Sequence, residues 1–349
     1  MQPLKVGING FGRIGRAFLR IAFSRPDIEV SAINDLSDVH SLAYLLQYDT
    51  VYKVAPFDVH VEIESDGKEY LNLVAGDTQK KILILHSKVP KELPWADLKI
   101  DVAVESTGLF TSFDSAKDHI EAGAKHVVIT APAKGESETL GETVLLSVNE
   151  DKFGTTNITS NASCTTNAAS PLIAILDESL GIEKAILNTV HAYTASQSLV
   201  DGGGKRDLRE GRAGAQNIVP SSTGAAIAVT KAFAKLKGLF DGISMRVPVA
   251  CGSIVDVTFI SKKQTTVDEV NNILKSAAEN ERWKNVFIAT EEELVSSDII
   301  GLPYASIADL KMTRVVGGNL VKVLAWYDNE IGYTHTLVEH VARAGRKII

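Results

Sequence analysis

Two cysteines occur among the 349 residues, and their surroundings differ. Cys164 sits in the polar octapeptide Ser160-Asn161-Ala162-Ser163-Cys164-Thr165-Thr166-Asn167, immediately before a run that reads as a helix. A free thiol is only a few per cent ionised near neutrality, so a nucleophilic cysteine needs surroundings that favour the thiolate. The positive end of a helix does this, and a thiol lowered to about 6 would carry on the order of tenfold more nucleophile. His191, in Val190-His191-Ala192-Tyr193-Thr194, is a candidate base that only the fold can bring to the sulfur. A lone cysteine is more often a buried, inert side chain. The polar neighbours Ser163, Thr165, Thr166 and Asn167 argue against that for Cys164, whereas Cys251 keeps the inert reading.

A second chemical signature lies at the N-terminus, where Gly10-Phe11-Gly12-Arg13-Ile14-Gly15 is a GxGxxG. Alone it is weak, because ordinary βα turns contain glycine. Here a strand-like run precedes it, a helical run follows, and Asp35 closes the next strand-like run. That arrangement binds dinucleotides: glycines let the backbone approach a pyrophosphate, the helix N-terminus faces its charge, and the acid accepts from the adenine ribose hydroxyls. A carboxylate at Asp35 repels the extra phosphate of NADP, and Leu36-Ser37 offers no arginine to reverse this, so NAD is the expected cofactor.

The elements that must position these groups follow from periodicity. Residues 6–9, 13–23 and 29–34 read as a βαβ unit, and 102–105, 115–122 and 126–130 continue the alternation, which predicts a doubly wound parallel sheet of Rossmann type. Beyond about residue 160 the texture becomes α+β. A helix over 166–180 leads to strands over 185–193, 243–249, 253–261 and 320–327, with helices over 225–237 and 267–279, the latter capped by Thr265-Thr266. These make a mostly antiparallel or mixed sheet with helices on one face. Tyr333, Leu337, Val338 and Val341 recur at helical spacing and predict a C-terminal helix that packs back onto a domain. The expected organisation is a dinucleotide-binding domain over 1–163, completed by 330–349, and a catalytic domain over 164–329.

Length agrees with two domains, and 45% hydrophobic with 23% charged residues excludes a disordered or fibrous chain. The net charge of −7 removes the broad electrostatic basis for nucleic-acid binding. No run is apolar for long enough to span a membrane, and no signal-peptide pattern opens the sequence, so a cytoplasmic protein is expected. The eight histidines show no metal-ligand spacing, and no metal is expected.

The segments INGFGRIGR, VEST (104–107), SNASCTTN, HAYTASQ, AQNIVPSSTGAA and WYDNEIGY span almost the whole chain and together resemble the phosphorylating glyceraldehyde-3-phosphate dehydrogenases. The resemblance implies a homotetramer that converts glyceraldehyde 3-phosphate, NAD and inorganic phosphate to 1,3-bisphosphoglycerate in glycolysis. It implies Cys164 as nucleophile and His191 as base, working through a hemithioacetal and a thioester. It also implies Thr194 and Arg246 at the substrate phosphate, and Ser163, Thr165, Thr223 and Gly224 at the attacking phosphate, with Arg209 shared or adjacent. For NAD it adds Phe11, Gly12, Arg13 and Ile14 at the turn, Asn34 and Asp35 at the ribose, Ser106 and Thr107 toward the pyrophosphate, Thr130, and Asn329 for the nicotinamide carboxamide. From their neighbours alone, Arg246 also reads as an edge-strand surface charge and Asn329 as a turn residue.

Some segments depart from the family pattern. Ala168 stands where a second cysteine is common, Tyr48-Asp49-Thr50-Val51-Tyr52-Lys53 replaces a His-Gly form, His86–Pro90 lacks an arginine near the adenine, and the 201–206 loop lacks its Gly-Pro form. Erythrose-4-phosphate dehydrogenase shares SNASCTTN but typically lacks the HAYT and SSTG segments. A non-catalytic nucleotide-sensing or RNA-binding protein on the same scaffold would not need every reactive position filled.

Overall fold

The structure, a computed structural model, describes residues 2–135, 140–204 and 207–347. Lys205 and Arg206 of the glycine loop lie outside them. Two compact units are present. The first takes the chain up to Val144, Asp151–Ala162 and the chain from Leu337; the second takes Leu145–Glu150 and Ser163–Thr336.

The first unit opens with β1 (Leu4–Asn9), α1 (Arg13–Ala22), β2 (Ile28–Asn34) and α2 (Val39–Gln47), followed by the short pair β3 (Tyr48–Asp49) and β4 (Lys53–Val54). β5 (Asp58–Ile63), β6 (Glu69–Ala75) and β7 (Thr78–Leu85) follow, then α3 (Trp95–Leu98), β8 (Val102–Glu105), α4 (Phe113–Glu121), β9 (His126–Ile129), β10 (Glu142–Thr143) and β11 (Ile158–Ser160). Their sheet runs β10-β11-β9-β8-β1-β2-β7-β6-β5. It is parallel from β10 to β7 and antiparallel across β7-β6-β5. Residues 58–85, which a strict βα alternation does not account for, form this antiparallel edge; Asp66-Gly67 and Gly76-Asp77 are its turns. β8 and β9 are buried along their whole length, as a sheet covered on both faces requires. α4 begins two residues before its expected start because Ser112 and Ser115 form a reciprocal capping box. β1 lies between β2 and β8, the point where strand order reverses and ligands bind beyond the strands' C-terminal ends.

The second unit starts with α5 (Cys164–Leu180), so Cys164 is the first residue of the helix rather than a residue before it. β12 (Ile182–Ala192), β13 (Val219–Ser222), α6 (Ala225–Ala232), β14 (Phe240–Val247) and β15 (Ser253–Ser261) follow, then α7 (Val267–Ala278), β16 (Phe287–Thr290), β17 (Ser306–Asp309), β18 (Arg314–Val316) and β19 (Leu320–Tyr327). The mixed sheet runs β13-β14-β12-β15-β19-β17-β16, with β18 also on β19. β14 stops at Val247, where Pro248 cannot donate to a ladder. α6 is shorter than the expected 225–237, since Phe233 leaves helical geometry before a single 3-10 turn at Ala234–Leu236. Ala168, Leu172, Ile175 and Leu176 of α5, Val229 of α6, and Val270 and Leu274 of α7 pack on Val255, Val257, Val321 and Val323, so helices cover one sheet face. α5 is buried on nearly all sides and reads as the axis of this core. The last helix, α8 (Ile331–Arg346), changes unit between Thr336 and Leu337. From Leu337 it lies on the first unit, with Gly345 against Leu4.

Candidate active site

In the first unit each glycine of the turn has a separate physical reason. Gly10 has φ +92, and a Cβ there would come within 2.6 Å of the Thr107 nitrogen. A Cβ on Gly15 would come within 2.3 Å of the Gly10 carbonyl, so Gly15 lets α1 close onto β1. A Cβ on Gly12 would meet no protein atom within 4 Å, and no side chain caps α1 at this residue. The turn therefore presents an open helix N-terminus, the geometry that suits a pyrophosphate.

Asp35 accepts from the Phe11 nitrogen at 2.8 Å and the Ser37 nitrogen at 2.9 Å, which ties the end of β2 to the glycine turn. A carboxylate has about four acceptor positions, so two remain for ribose hydroxyls. Phe11 is buried and offers the crevice only its backbone. Ile14 is half-buried on the first turn of α1. Arg13 is paired with Asp49 and lies over Tyr52. Ser106 Oγ donates to the Gly10 carbonyl at 2.7 Å, and the Thr130 nitrogen donates to the Glu105 carbonyl at 3.0 Å. Asn34 does not face the ribose side freely. Its Nδ2 donates to Asn9 at 2.7 Å and the Ser87 carbonyl at 2.9 Å, and its Oδ1 accepts from the Ser87 nitrogen at 2.8 Å.

Behind the crevice lies a buried network that the sequence reading did not single out. Glu105 accepts from Asn9 Nδ2 at 2.6 Å, His119 Nε2 at 3.1 Å, the Thr107 nitrogen at 2.9 Å and the Thr107 hydroxyl. Trp95 Nε1 can only donate, and it donates to His119 Nδ1 at 3.0 Å, so the imidazole carries its proton on Nε2 and turns it to the carboxylate. A buried carboxylate with four donors fixes the loop after β8. The available signal was Glu105 in VEST, directly before Ser106 and Thr107.

In the second unit Cys164 Sγ lies 3.4 Å from His191 Nε2. Ser163 is the cap of α5, its hydroxyl accepting from the Thr166 nitrogen at 3.1 Å. Ala162, buried with φ +55, makes the left-handed turn into this cap. His191 Nδ1 lies 2.7 Å from the Ala192 carbonyl and 2.5 Å from an Arg246 nitrogen. These contacts suit different tautomers. With a proton on Nδ1 the ring donates to Ala192 and leaves Nε2 to accept from the thiol; with a bare Nδ1 it accepts from Arg246, and Nε2–H donates to the sulfur.

Burial, then the Arg246 charge, pushes His191 down to about 3. Burial also pushes the Cys164 thiol up, against the opposing pull of Arg246. Desolvation therefore works against the lowering expected from the helix end, while His191 is held neutral.

Arg246 is not an edge-strand charge. β14 is paired on both sides, by β12 and β13, and Arg246 Nε is buried without a hydrogen-bond partner. Thr194 is half-buried and shares its hydroxyl with Ser196 and Gln197. Thr223 accepts from the Ala225 nitrogen at 3.2 Å, and Gly224 is exposed at the start of α6. Thr165 is turned inward, sharing its hydroxyl with Tyr327 at 2.8 Å, and Tyr327 also bonds Thr189 at 2.8 Å. Arg209 is exposed and bound to Asp207 at 2.6 Å. Asn329 Oδ1 accepts from the Gly252 nitrogen at 3.1 Å and Ser253 Oγ at 3.0 Å, with the Cys251 thiol at 3.8 Å, which orients its amide and turns Nδ2 away from these donors. Cys251 is buried, its Sγ 3.2 Å from Asp328 Oδ1.

Two family models match the chain. Residues 4–113 match the glyceraldehyde 3-phosphate dehydrogenase NAD binding domain, and residues 163–329 match the C-terminal domain of the same family. Among curated relatives, the glyceraldehyde-3-phosphate dehydrogenase of Mycobacterium avium is 46% identical over 353 residues, covering 99% of this chain and 100% of its own. That of Geobacillus stearothermophilus is 44% identical with 99% of each covered, and that of Streptomyces coelicolor 43% identical with 99% and 100% covered.

Proposed function

The chain belongs to the glyceraldehyde-3-phosphate dehydrogenase family, and from that premise we propose that it oxidises and phosphorylates glyceraldehyde 3-phosphate to 1,3-bisphosphoglycerate, with NAD as cofactor, in glycolysis. The observation that carries this reading is the Cys164–His191 contact at the start of a buried helix.

Cys164 Sγ adds to the aldehyde carbon. The thiol proton passes to His191 Nε2 and on to the new alkoxide, giving a hemithioacetal. His191 then takes the hydroxyl proton as the carbon gives up its hydride, and a thioester remains on Cys164. NAD, when bound, supplies the hydride acceptor. Inorganic phosphate attacks the thioester carbon, the carbon–sulfur bond breaks, and the thiol is restored. A neutral His191 is the state this proton shuttle needs.

The open Gly12 position and the two remaining acceptor sites of Asp35 support the glycine turn and Asp35 as the pyrophosphate and ribose seats. Arg13, Ile14, Ser106, Thr107 and Thr130 line the same edge, and Asn34 acts there by holding β2 in place. The oriented Nδ2 of Asn329 suits the nicotinamide carboxamide. The unpartnered Nε of Arg246 suits the substrate phosphate, with Thr194 beside it in the assignment. The half-buried Thr223 and exposed Gly224 before α6 suit the attacking phosphate, while Ser163 and Thr165 already spend their hydroxyls within the protein and Arg209 must leave Asp207 to take part.

The sheet face of the second unit away from its helices exposes Ile186 and Ile243, about half of each, which supports assembly into a homotetramer. Among the described residues no helix is long and apolar enough to cross a membrane. A cytoplasmic enzyme without a nucleic-acid partner completes the reading, supported by the net charge of −7.

The test follows NADH absorbance with glyceraldehyde 3-phosphate, NAD and phosphate, with NADP and erythrose 4-phosphate as comparators. Turnover that requires phosphate, prefers the triose and vanishes in Cys164→Ser while NAD still binds is the expected result. A Cys164→Ser enzyme with unchanged rate refutes the nucleophile assignment.

A further inference from the structure

Ser253, the first residue of β15, is buried at 1% exposure and contacts the strand end that carries His191 as well as Asn329. The β12–β15 ladder ends at the pair Val190–Ile254. Beyond it, the Ala192 nitrogen donates to Ser253 Oγ at 3.2 Å in place of a ladder carbonyl. The same hydroxyl donates to Asn329 Oδ1 at 3.0 Å. Both directions are forced. The amide nitrogen of Ala192 can only donate, and the Asn329 atom accepts from the Gly252 nitrogen as well, which identifies it as oxygen.

We propose that Ser253 is a positioning residue that couples the base His191 to the carboxamide donor Asn329 through one buried hydroxyl. The proposal rests on the roles given to His191 and Asn329 above. On the His191 side, Ser253 fixes the peptide between His191 and Ala192, and the next carbonyl, that of Ala192, is the one His191 Nδ1 meets at 2.7 Å. On the Asn329 side, the hydroxyl and the Gly252 nitrogen are the two close donors to Oδ1, at 3.0 Å and 3.1 Å, with the Cys251 thiol more distant at 3.8 Å. Removing it leaves a buried Ala192 nitrogen without its acceptor and an amide held by the Gly252 nitrogen and the longer Cys251 thiol contact, so ring and amide both lose definition.

The experiment compares Ser253→Ala and Ser253→Thr with the wild-type enzyme. In Ser253→Ala, kcat should fall by about tenfold and the Kd for NAD, from calorimetric titration, should rise by about fivefold to tenfold. KM for glyceraldehyde 3-phosphate should stay within about twofold, because Arg246 and Thr194 do not contact this hydroxyl. Ser253→Thr, which keeps the hydroxyl, should restore both parameters. In an Asn329→Ala background, Ser253→Ala should leave NAD affinity unchanged yet still lower kcat. If Ser253→Ala does not accumulate as folded protein, Ser253→Cys fills the same space with a weak donor and acceptor and should move kcat and NAD affinity in the same directions. A lowered Tm with unchanged kcat and NAD affinity overturns the proposal, as does additive loss of affinity in the double variant or failure of threonine to rescue. The calorimetric arm reads the Asn329 coupling even if no phosphate-dependent turnover is found, so failure of the enzymatic reading and failure of this proposal are distinct results.

Discussion

Acidification should destabilise this protein well above the pH at which its carboxylates titrate. Three buried histidines are held neutral: His126 is pushed from an ordinary 6.5 down to about 4, and His191 and His340 down to about 3, each chiefly by burial. His126 and His340 share the Thr159 hydroxyl, at 2.9 Å and 2.7 Å, and His340 Nδ1 meets Asn161 Oδ1 at 3.2 Å, so neither ring has an anionic partner in this chain of contacts.

A histidine with a lowered native pKa binds its proton in the unfolded chain first. The penalty is absent well above 6.5, grows as pH falls through 6.5, and keeps growing until the native pKa is reached. At pH 5 each of the three costs about 2 kcal/mol relative to pH 8, so together about 6 kcal/mol, against a typical folding margin of about 5–15 kcal/mol. The carboxyls held low by arginine, Asp27 and Asp207, both at about 2, lose their contribution only below their ordinary 3.8, so the window from 6.5 to 4.5 belongs to the histidines. Urea unfolding at pH 8, 7, 6 and 5 measures the slope, and His340→Gln should remove about 1.4 kcal/mol per pH unit from it. Stability that is flat between pH 8 and 5, or a slope that His340→Gln leaves intact, would refute the reasoning.

The second and third glycines of the turn give a paired test. Gly12→Ala should retain the wild-type Tm and lose NAD affinity, whereas Gly15→Ala should lower Tm as well, because its Cβ strikes the Gly10 carbonyl; equal Tm losses in differential scanning would contradict the open-cradle reading. Asp35→Asn keeps an acceptor for the Phe11 nitrogen but removes the charge, so the NAD over NADP ratio of kcat/KM should narrow by about tenfold. An unchanged ratio removes Asp35 from cofactor selection. Iodoacetamide should label Cys164 and spare the buried Cys251 in the native enzyme; mass spectrometry showing equal labelling would overturn this.

Much of this arrangement was legible in the residues. The glycine turn, Asp35 and the helix behind Cys164 announce themselves because local backbone needs and local charge dictate residue type over a few positions. The strands over 253–261 and 320–327 have the bounds that their alternation predicts. What could not be read depends on distant partners. The burial that pushes the Cys164 thiol up is not visible in any octapeptide, and neither are the contacts of the Asn34 amide with Asn9 and Ser87. The meander over residues 58–85 has clear turn residues, yet its pairing with β2 through β7 is a long-range choice. Ser253 is one serine among many until the strand end it meets is known.

The lacing of Asn9, Asn34, Ser87, Glu105 and His119 beneath the dinucleotide crevice bears on how a ligand arrives. Because the ends of β1, β2 and β8 are cross-tied by side chains before anything binds, association should require little local ordering of that edge, and its affinity should reflect contact quality rather than the entropy of assembling a seat.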